Sequence, residues 1–313
     1  MSWIAKLRKN PVVLKELRGR MRGRRAFVVL TAYLMVLSGG ISLAFLPLAN
    51  RSLASGYDLA LRQYVGKGIF GLAVLLQFIT ISFIAPGITA GAIASEREHQ
   101  TLDILRTTLL SARDLVTGKL MAALSFLFLL LLAAFPIQSL AFLMGGVELE
   151  EIVVAAVMLI TATVALSAVG VFFSSVLKRT LASTVLAYAV SFLTVAGLPM
   201  LLMLLLTIAT PVAEFLFMGS SGDLSPVTAV VLLVIAWILV SSNPLIAALA
   251  TEAILVDSQS LWYYLIPLPS SPQFPNPSDL PVPSPWIGYV LGSLLLSAVL
   301  IRVSIRAVRR PEV

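Results

Sequence analysis

Cysteine is absent from the 313 residues, which excludes disulfide frameworks, thiolate metal sites and cysteine nucleophiles. Histidine occurs once, at His99, too few for an imidazole metal cluster or a Ser–His–Asp triad. Charge is scarce as well: 12% of the side chains are Asp, Glu, Lys or Arg, roughly half the share in a soluble domain. Apolar residues fill the space, at 59% hydrophobic and a mean hydropathy of +0.99. Such a chain is neither a water-soluble globule nor a disordered tail, so an integral membrane protein is expected.

Charge-free intervals run over 26–50, 68–95, 120–147, 152–177, 180–213, 224–251 and 280–301. Roughly 20 apolar residues cross the hydrocarbon core as a helix, and a backbone in lipid must satisfy its own polar groups. Uninterrupted apolar runs such as 126–134 lack the alternation of a membrane barrel.

Residues 1–25 hold nine basic side chains against Glu16, and the other end carries Arg302, Arg306, Arg309 and Arg310 against Glu312. Positive segments stay cytoplasmic, so both termini are expected inside and the crossings even in number. One of the seven intervals must then not cross. The stretch 226–256 is broken at Ser241-Ser242-Asn243-Pro244 into pieces too short to span, and reads as a re-entrant helical hairpin. The alternative is a kinked seventh span with the C-terminus outside. Six spans are expected at 26–47, 69–93, 120–145, 152–177, 180–207 and 286–306, within a single permease domain over 1–313. Only Arg51, Arg62 and Lys67 of the 22 basic residues then face outward, while nine acids do. The net charge of +7 is therefore a topology signal that suits anionic lipid, with no nucleic-acid partner implied. The first apolar run is too long for a cleavable leader and is expected to stay as span one.

Two cytoplasmic segments look built for contact. Asn10-Pro11 reads as a helix start, and Leu14, Leu17 and Met21 recur among Lys15, Arg18, Arg22 and Arg25. Over 1–25 this makes an amphipathic elbow helix on the membrane lipid, or equally a topology anchor. Between spans two and three, Ser95 with Glu98 forms a capping-box pattern, and Leu102, Leu105 and Leu109 follow as one apolar stripe. Ser111 with Asp114 starts a second helix. The segment 95–119 is thus expected to be a helix–turn–helix that a protein partner grips, or else one that rests on lipid. His99 reads as solvated.

These residues carry a resemblance. Asn10-Pro-Val-Val-Leu-Lys-Glu-Leu-Arg18 resembles the elbow helix of ABC-2 type permeases, the membrane subunits of ATP-binding-cassette exporters. Ala85-Pro-Gly-Ile-Thr-Ala-Gly-Ala-Ile-Ala-Ser-Glu-Arg-Glu98, with Thr101-Leu-Asp-Ile-Leu105 and Gly118-Lys119, is similar to that family's coupling loop. Phe172-Phe-Ser-Ser-Val-Leu-Lys-Arg-Thr-Leu-Ala-Ser-Thr-Val-Leu-Ala-Tyr188 resembles its junction of spans four and five, and Asn243-Pro244 its late helix break. The resemblance covers residues 10 to about 250. It implies a cytoplasmic ABC ATPase as partner, a second permease copy or paralogue, and a plasma (inner) membrane of a bacterium or archaeon. ATPase contact would fall to Glu96, Arg97, Glu98, Thr101, Leu102, Asp103 and Leu105, with Lys178 and Arg179 as a second contact. Pro11, Lys15, Glu16 and Arg18 would mark the elbow.

The chain has no phosphate-cradling loop, since Gly66-Lys67 and Gly118-Lys119 lack the preceding glycine and the following Ser or Thr. It is not expected to be an enzyme, and neither a cofactor nor a metal is expected. The six spans carry no Asp, Glu, Lys, Arg or His before the last turn of the sixth, which argues against an ion-coupled carrier and against an activated serine nucleophile. Gln77 and Thr80 on span two, and Thr184, Tyr188 and Ser191 on span five, are candidate pathway lining or packing hydroxyls. Ser167, Gly170 and Ser174 read as a close-packing face. Trp262, Tyr263, Tyr264 and Trp286 read as an interfacial belt. Between them the external loop 257–285, holding eight of 17 prolines within 267–285, is expected to be an extended connector of polyproline character. A membrane scaffold or sensor that binds a cytoplasmic partner through 95–119 without moving solute is the alternative to export.

Overall fold

The protein, in a computed structural model, is a helical membrane protein. The structure describes Glu16, Gly19 and residues 24–55, 59–101, 111–201, 203–204, 207, 226–266 and 279–309. Pro11, Lys15 and Arg18 of the expected elbow, Leu102, Asp103 and Leu105 of the expected contact, and residues 267–278 lie outside them.

The helices are α1 (Arg24–Ser55), α2 (Leu59–Thr89), α3 (Ala94–Glu98), α4 (Ala112–Ala133), α5 (Phe135–Met144), α6 (Leu149–Val176), α7 (Thr180–Phe192), α8 (Pro226–Ser241), α9 (Pro244–Ser258) and α10 (Pro285–Arg309). Among the described residues, six stretches are long and apolar enough to cross a membrane: α1, α2 with α3, α4 with α5, α6, α7 with its continuation, and α10. Each overlaps one of the six expected spans.

The chain divides into two compact units, residues 1–191 with 293–313, and residues 192–292. In the first, α2 is the hub, packed on α1, α4, α5 and most extensively on α6. One core lies at the start of α2, where Val65, Ile69 and Phe70 meet Ala141 and Val147. Another gathers Ile93, Leu115, Val116, Leu120, Leu124, Val171 and Val308 beyond its far end. Gly145 and Gly146, at φ +84° and +86°, turn the chain between α5 and α6. That conformation is open to glycine, and a Cβ on Gly146 would also lie 2.2 Å from the Gln63 carbonyl.

The third expected span, 120–145, is interrupted at Ala134. Pro136 lacks an N–H to continue the ladder of α4, so α4 ends at Ala133 and α5 restarts at Phe135. Ala134 bridges the break, its carbonyl accepting from the N–H groups of Ile137 and Gln138.

In the second unit, a π-helical turn, Leu193–Gly197, continues the helical path beyond Phe192. Helices α8 and α9 bend by 119° at the expected break. Asn243 caps α9: its Oδ1 accepts from the N–H groups of Leu245 at 2.9 Å and Ile246 at 3.2 Å, and Nδ2 donates to the Thr194 carbonyl in the π turn.

Of the loop 257–285, expected as an extended connector, the structure describes the two ends. Its ends pair as an antiparallel hairpin of β1 (Tyr263–Ile266) and β2 (Leu280–Pro283), with Tyr263 opposite Pro283 and Leu265 opposite Pro281. Prolines are tolerated here because a two-stranded pair has edges on both sides. Trp286 is not simply a belt residue. It is buried, its Nε1 donates to the Leu261 carbonyl at 2.7 Å, and its ring meets Trp262 edge-on at 5.4 Å. Trp237 Nε1 of α8 donates to the Pro283 carbonyl at 2.7 Å, tying the hairpin to its own unit.

Candidate functional site

The motif-bearing residues converge where α2 ends and α3 turns across the neighbouring helices. The last turns of α2 are seated closely. A Cβ on Gly170 of α6 would stand 1.9 Å from Thr89 Oγ1, so only glycine admits that approach. Ser183 Oγ donates to the Ala90 carbonyl at 2.6 Å, joining α7 to the turn after α2.

Helix α3 begins differently from the expectation. Ser95 does not cap it; its hydroxyl donates back to the Gly91 carbonyl at 2.6 Å. The acceptor comes from another helix: Ser174 Oγ of α6 takes the N–H groups of Ile93 at 2.8 Å and Ala94 at 2.9 Å. Ser174, read as a packing residue, is therefore also a cap in trans. The free donors at a helix start need an oxygen, and one on a packed neighbour serves as well as a local one.

Helix α3 also stops early. Gln100 takes a left-handed conformation at φ 57°, its N–H donates to the Arg97 carbonyl at 3.0 Å, and that of Thr101 to the Glu96 carbonyl at 2.9 Å. These two bonds make a Schellman closure. The expected continuous helix from Ser95 through the leucine stripe is thus corrected: α3 holds five residues, and 102–110 lie outside the described residues. The second expected start stands. Ser111 caps α4, its Oγ accepting from the Asp114 N–H at 3.1 Å while its hydroxyl donates to the Asp114 carboxylate at 2.6 Å.

Three consecutive side chains of α3 fasten three different helices. Glu96 Oε1 meets Lys119 Nζ of α4 at 2.7 Å, and Lys119 also reaches Glu16 at 3.2 Å. The Arg97 guanidinium donates to the carbonyls of Leu177 at 2.9 Å and Ser175 at 3.2 Å, at the C-terminal end of α6. Glu98 Oε2 accepts from Thr180 N–H at 3.2 Å and Thr180 Oγ1 at 2.6 Å, at the first residue of α7. A cation on the carbonyl end of one helix and an anion on the N–H end of the next both match the helix dipoles. The two bonds from Thr180, with lesser help from His99 and Arg179, hold the Glu98 carboxyl below its ordinary value.

Thr101, Lys178 and Arg179 are exposed beside this junction. The pathway candidates are placed variously. Thr80, Thr184 and Ser191 donate to carbonyls of their own helices, at Leu76, Thr180 and Ala187. Tyr188 Oη donates across to the Phe83 carbonyl at 3.0 Å, beside Gly87. Gln77 is buried and accepts from Gln138 Nε2 at 3.2 Å.

The arrangement is mechanical. Among the described residues no group of three or more His, Asp or Glu could hold a metal. Sequence reasoning missed Ser174 as a cap, Gln138 as a partner, and Lys119 as a buried ion, since Lys119 entered through the Gly118-Lys119 motif. No protein-family model matches the chain, and no curated protein sequence matches it.

Proposed function

We propose that this chain is the membrane-spanning permease subunit of an ATP-driven, ABC-2 type exporter. It forms the translocation pathway with a second permease copy or paralogue and couples to a separate cytoplasmic ABC ATPase. It sits in a plasma (inner) membrane with six crossings, both termini cytoplasmic and the α8–α9 pair re-entrant from the outer face.

The observation that carries the reading is α3. A short helix tied to α4, α6 and α7 through Glu96, Arg97 and Glu98 is a stiff lever: displacing it moves three helices together. This refines the roles that the resemblance implies. Glu96, Arg97 and Glu98 transmit, while exposed Thr101, Lys178 and Arg179, with Leu102, Asp103 and Leu105, are left to touch the ATPase.

The test is reconstitution with a cassette ATPase. ATP hydrolysis stimulated by this chain and abolished in its coupling by Leu102→Asp with Leu105→Asp supports export. No binding by such an ATPase to a chain with α3 intact overturns it.

A second reading is a non-transporting scaffold or sensor that binds a cytoplasmic partner through 95–119. It is favoured by the hydroxyls of Thr80, Thr184, Tyr188 and Ser191, which are spent on carbonyls of this chain. ATP-dependent flux in sealed vesicles separates the two.

A further inference from the structure

Helices α2, α4, α5 and α6 line a crevice of about 490 Å³ that takes in Gln77, one of the expected pathway residues. Leu131, Leu132, Phe135 and Gln138, on the two sides of the α4–α5 break, belong to its lining. Its walls are apolar, with Phe128, Leu129, Leu132, Phe135 and Ile160 among them, and no charged side chain lines it.

Three polar side chains, Gln77, Ser125 and Gln138, interrupt this lining, and of these Gln77 keeps a buried polar atom without a partner. Gln77 is 1% exposed, and its Oε1 is taken by Gln138 Nε2 at 3.2 Å. Its own Nε2 has no hydrogen-bond partner. Gln77 stands about 18 Å of helical rise before the end of α2, well within a hydrocarbon layer. An amide N–H left without an acceptor at that depth is costly, and water cannot be assumed to reach it. Ser125, the nearest hydroxyl in the lining, donates to the Met121 carbonyl of its own helix at 2.8 Å. The lining is therefore too poor in polar groups to hold the several waters that the volume would take, since each needs two to four partners.

We propose that the crevice binds a small, uncharged lipophile bearing a carbonyl oxygen. Its apolar body lies against Phe128, Phe135 and the leucines, and its oxygen accepts from Gln77 Nε2. The ligand is uncharged because nothing in the lining pairs an ion, and it is an acceptor because the free group is a donor. The volume falls within the range of small-molecule sites. The site belongs to the first unit alone and holds for an exporter or a scaffold.

The test uses the full chain in phosphatidylcholine nanodiscs, with benzophenone as photoreactive ketone and fluorenone or diphenylmethane as competitor. Saturable insertion is expected in peptides around residues 128–135 and 156–160. Fluorenone, which has the carbonyl, should compete about five- to tenfold better than diphenylmethane, which lacks it, as one buried hydrogen bond implies. Gln77→Leu combined with Gln138→Leu, which removes the lining amide that the first change would free, should erase that preference. Ala156→Trp, which fills the crevice from an exposed position on α6 and keeps the amide pair, should abolish saturable insertion. Equal competition by the two compounds overturns the proposal. So does insertion spread along the lipid-facing helices, or saturable insertion that survives Ala156→Trp.

Discussion

Lys119 Nζ lies 2.7 Å from Glu96 Oε1, and the lysine side chain is 4% exposed. A cation so enclosed is held by its partners, here Glu96 and Glu16. Lys119→Met takes the shared cation from two half-buried carboxylates. Breaking a buried pair in this way costs about 3–5 kcal/mol. Glu96→Gln added to Lys119→Met should recover part of the loss, and a double-mutant cycle on unfolding in detergent reads the coupling.

Ser174→Ala removes the acceptor of two backbone N–H groups at once. The expected loss is about 1–3 kcal/mol, the penalty for buried donors left unpaired. Faster amide exchange at Ile93 and Ala94, with the middle of α6 unchanged, is the signature to measure.

Gly170→Ala should destabilise the first unit, because the added Cβ would stand 1.9 Å from Thr89 Oγ1 and 2.9 Å from Thr89 Cβ. Thr89→Ala removes the nearest atom and should restore part of the loss. Full stability of Gly170→Ala alone would contradict the close approach of α2 and α6.

The Glu98 tie to Thr180 is acid-sensitive. Its carboxyl is held below the ordinary value by the Thr180 bonds, so the ionised form is favoured by the folded junction. The contribution is fully present above the ordinary glutamate pKa, about 4.3, and is lost as pH falls through the depressed folded value. Amide exchange at residues 180–183, corrected for its intrinsic pH dependence, should accelerate over that acid range. Glu98→Gln should show the faster exchange already at neutral pH.

A reporter fused after Val313 should read as cytoplasmic, as the basic residues at both ends require. An external signal would convert the bent α8–α9 pair into a seventh crossing.

The hydrophobic runs made the spans legible, because twenty or so apolar residues admit few other arrangements. Asn243-Pro244 was legible too, since proline after a capping residue marks a helix start. The break between α4 and α5 was hidden because Pro136 sits within an unbroken apolar run, where composition outweighs a single missing N–H. The end of α3 was hidden for another reason: its left-handed residue is Gln100 rather than the usual glycine. At the candidate site, the charges of 95–98 marked the place, but the partners Ser174, Thr180 and Lys119 come from distant helices. No local pattern announces a cap or an ion pair that closes across about 20 to 80 residues.

The prolines of β2 have a consequence for what can assemble on the hairpin. The N–H groups that the strand keeps, at Leu280 and Val282, point to the same side, because donors alternate along an extended chain. Its other side therefore offers carbonyls and no donors. A third strand arriving there would find half of every ladder rung missing, so the hairpin is protected on that flank against sheet growth and accidental self-association.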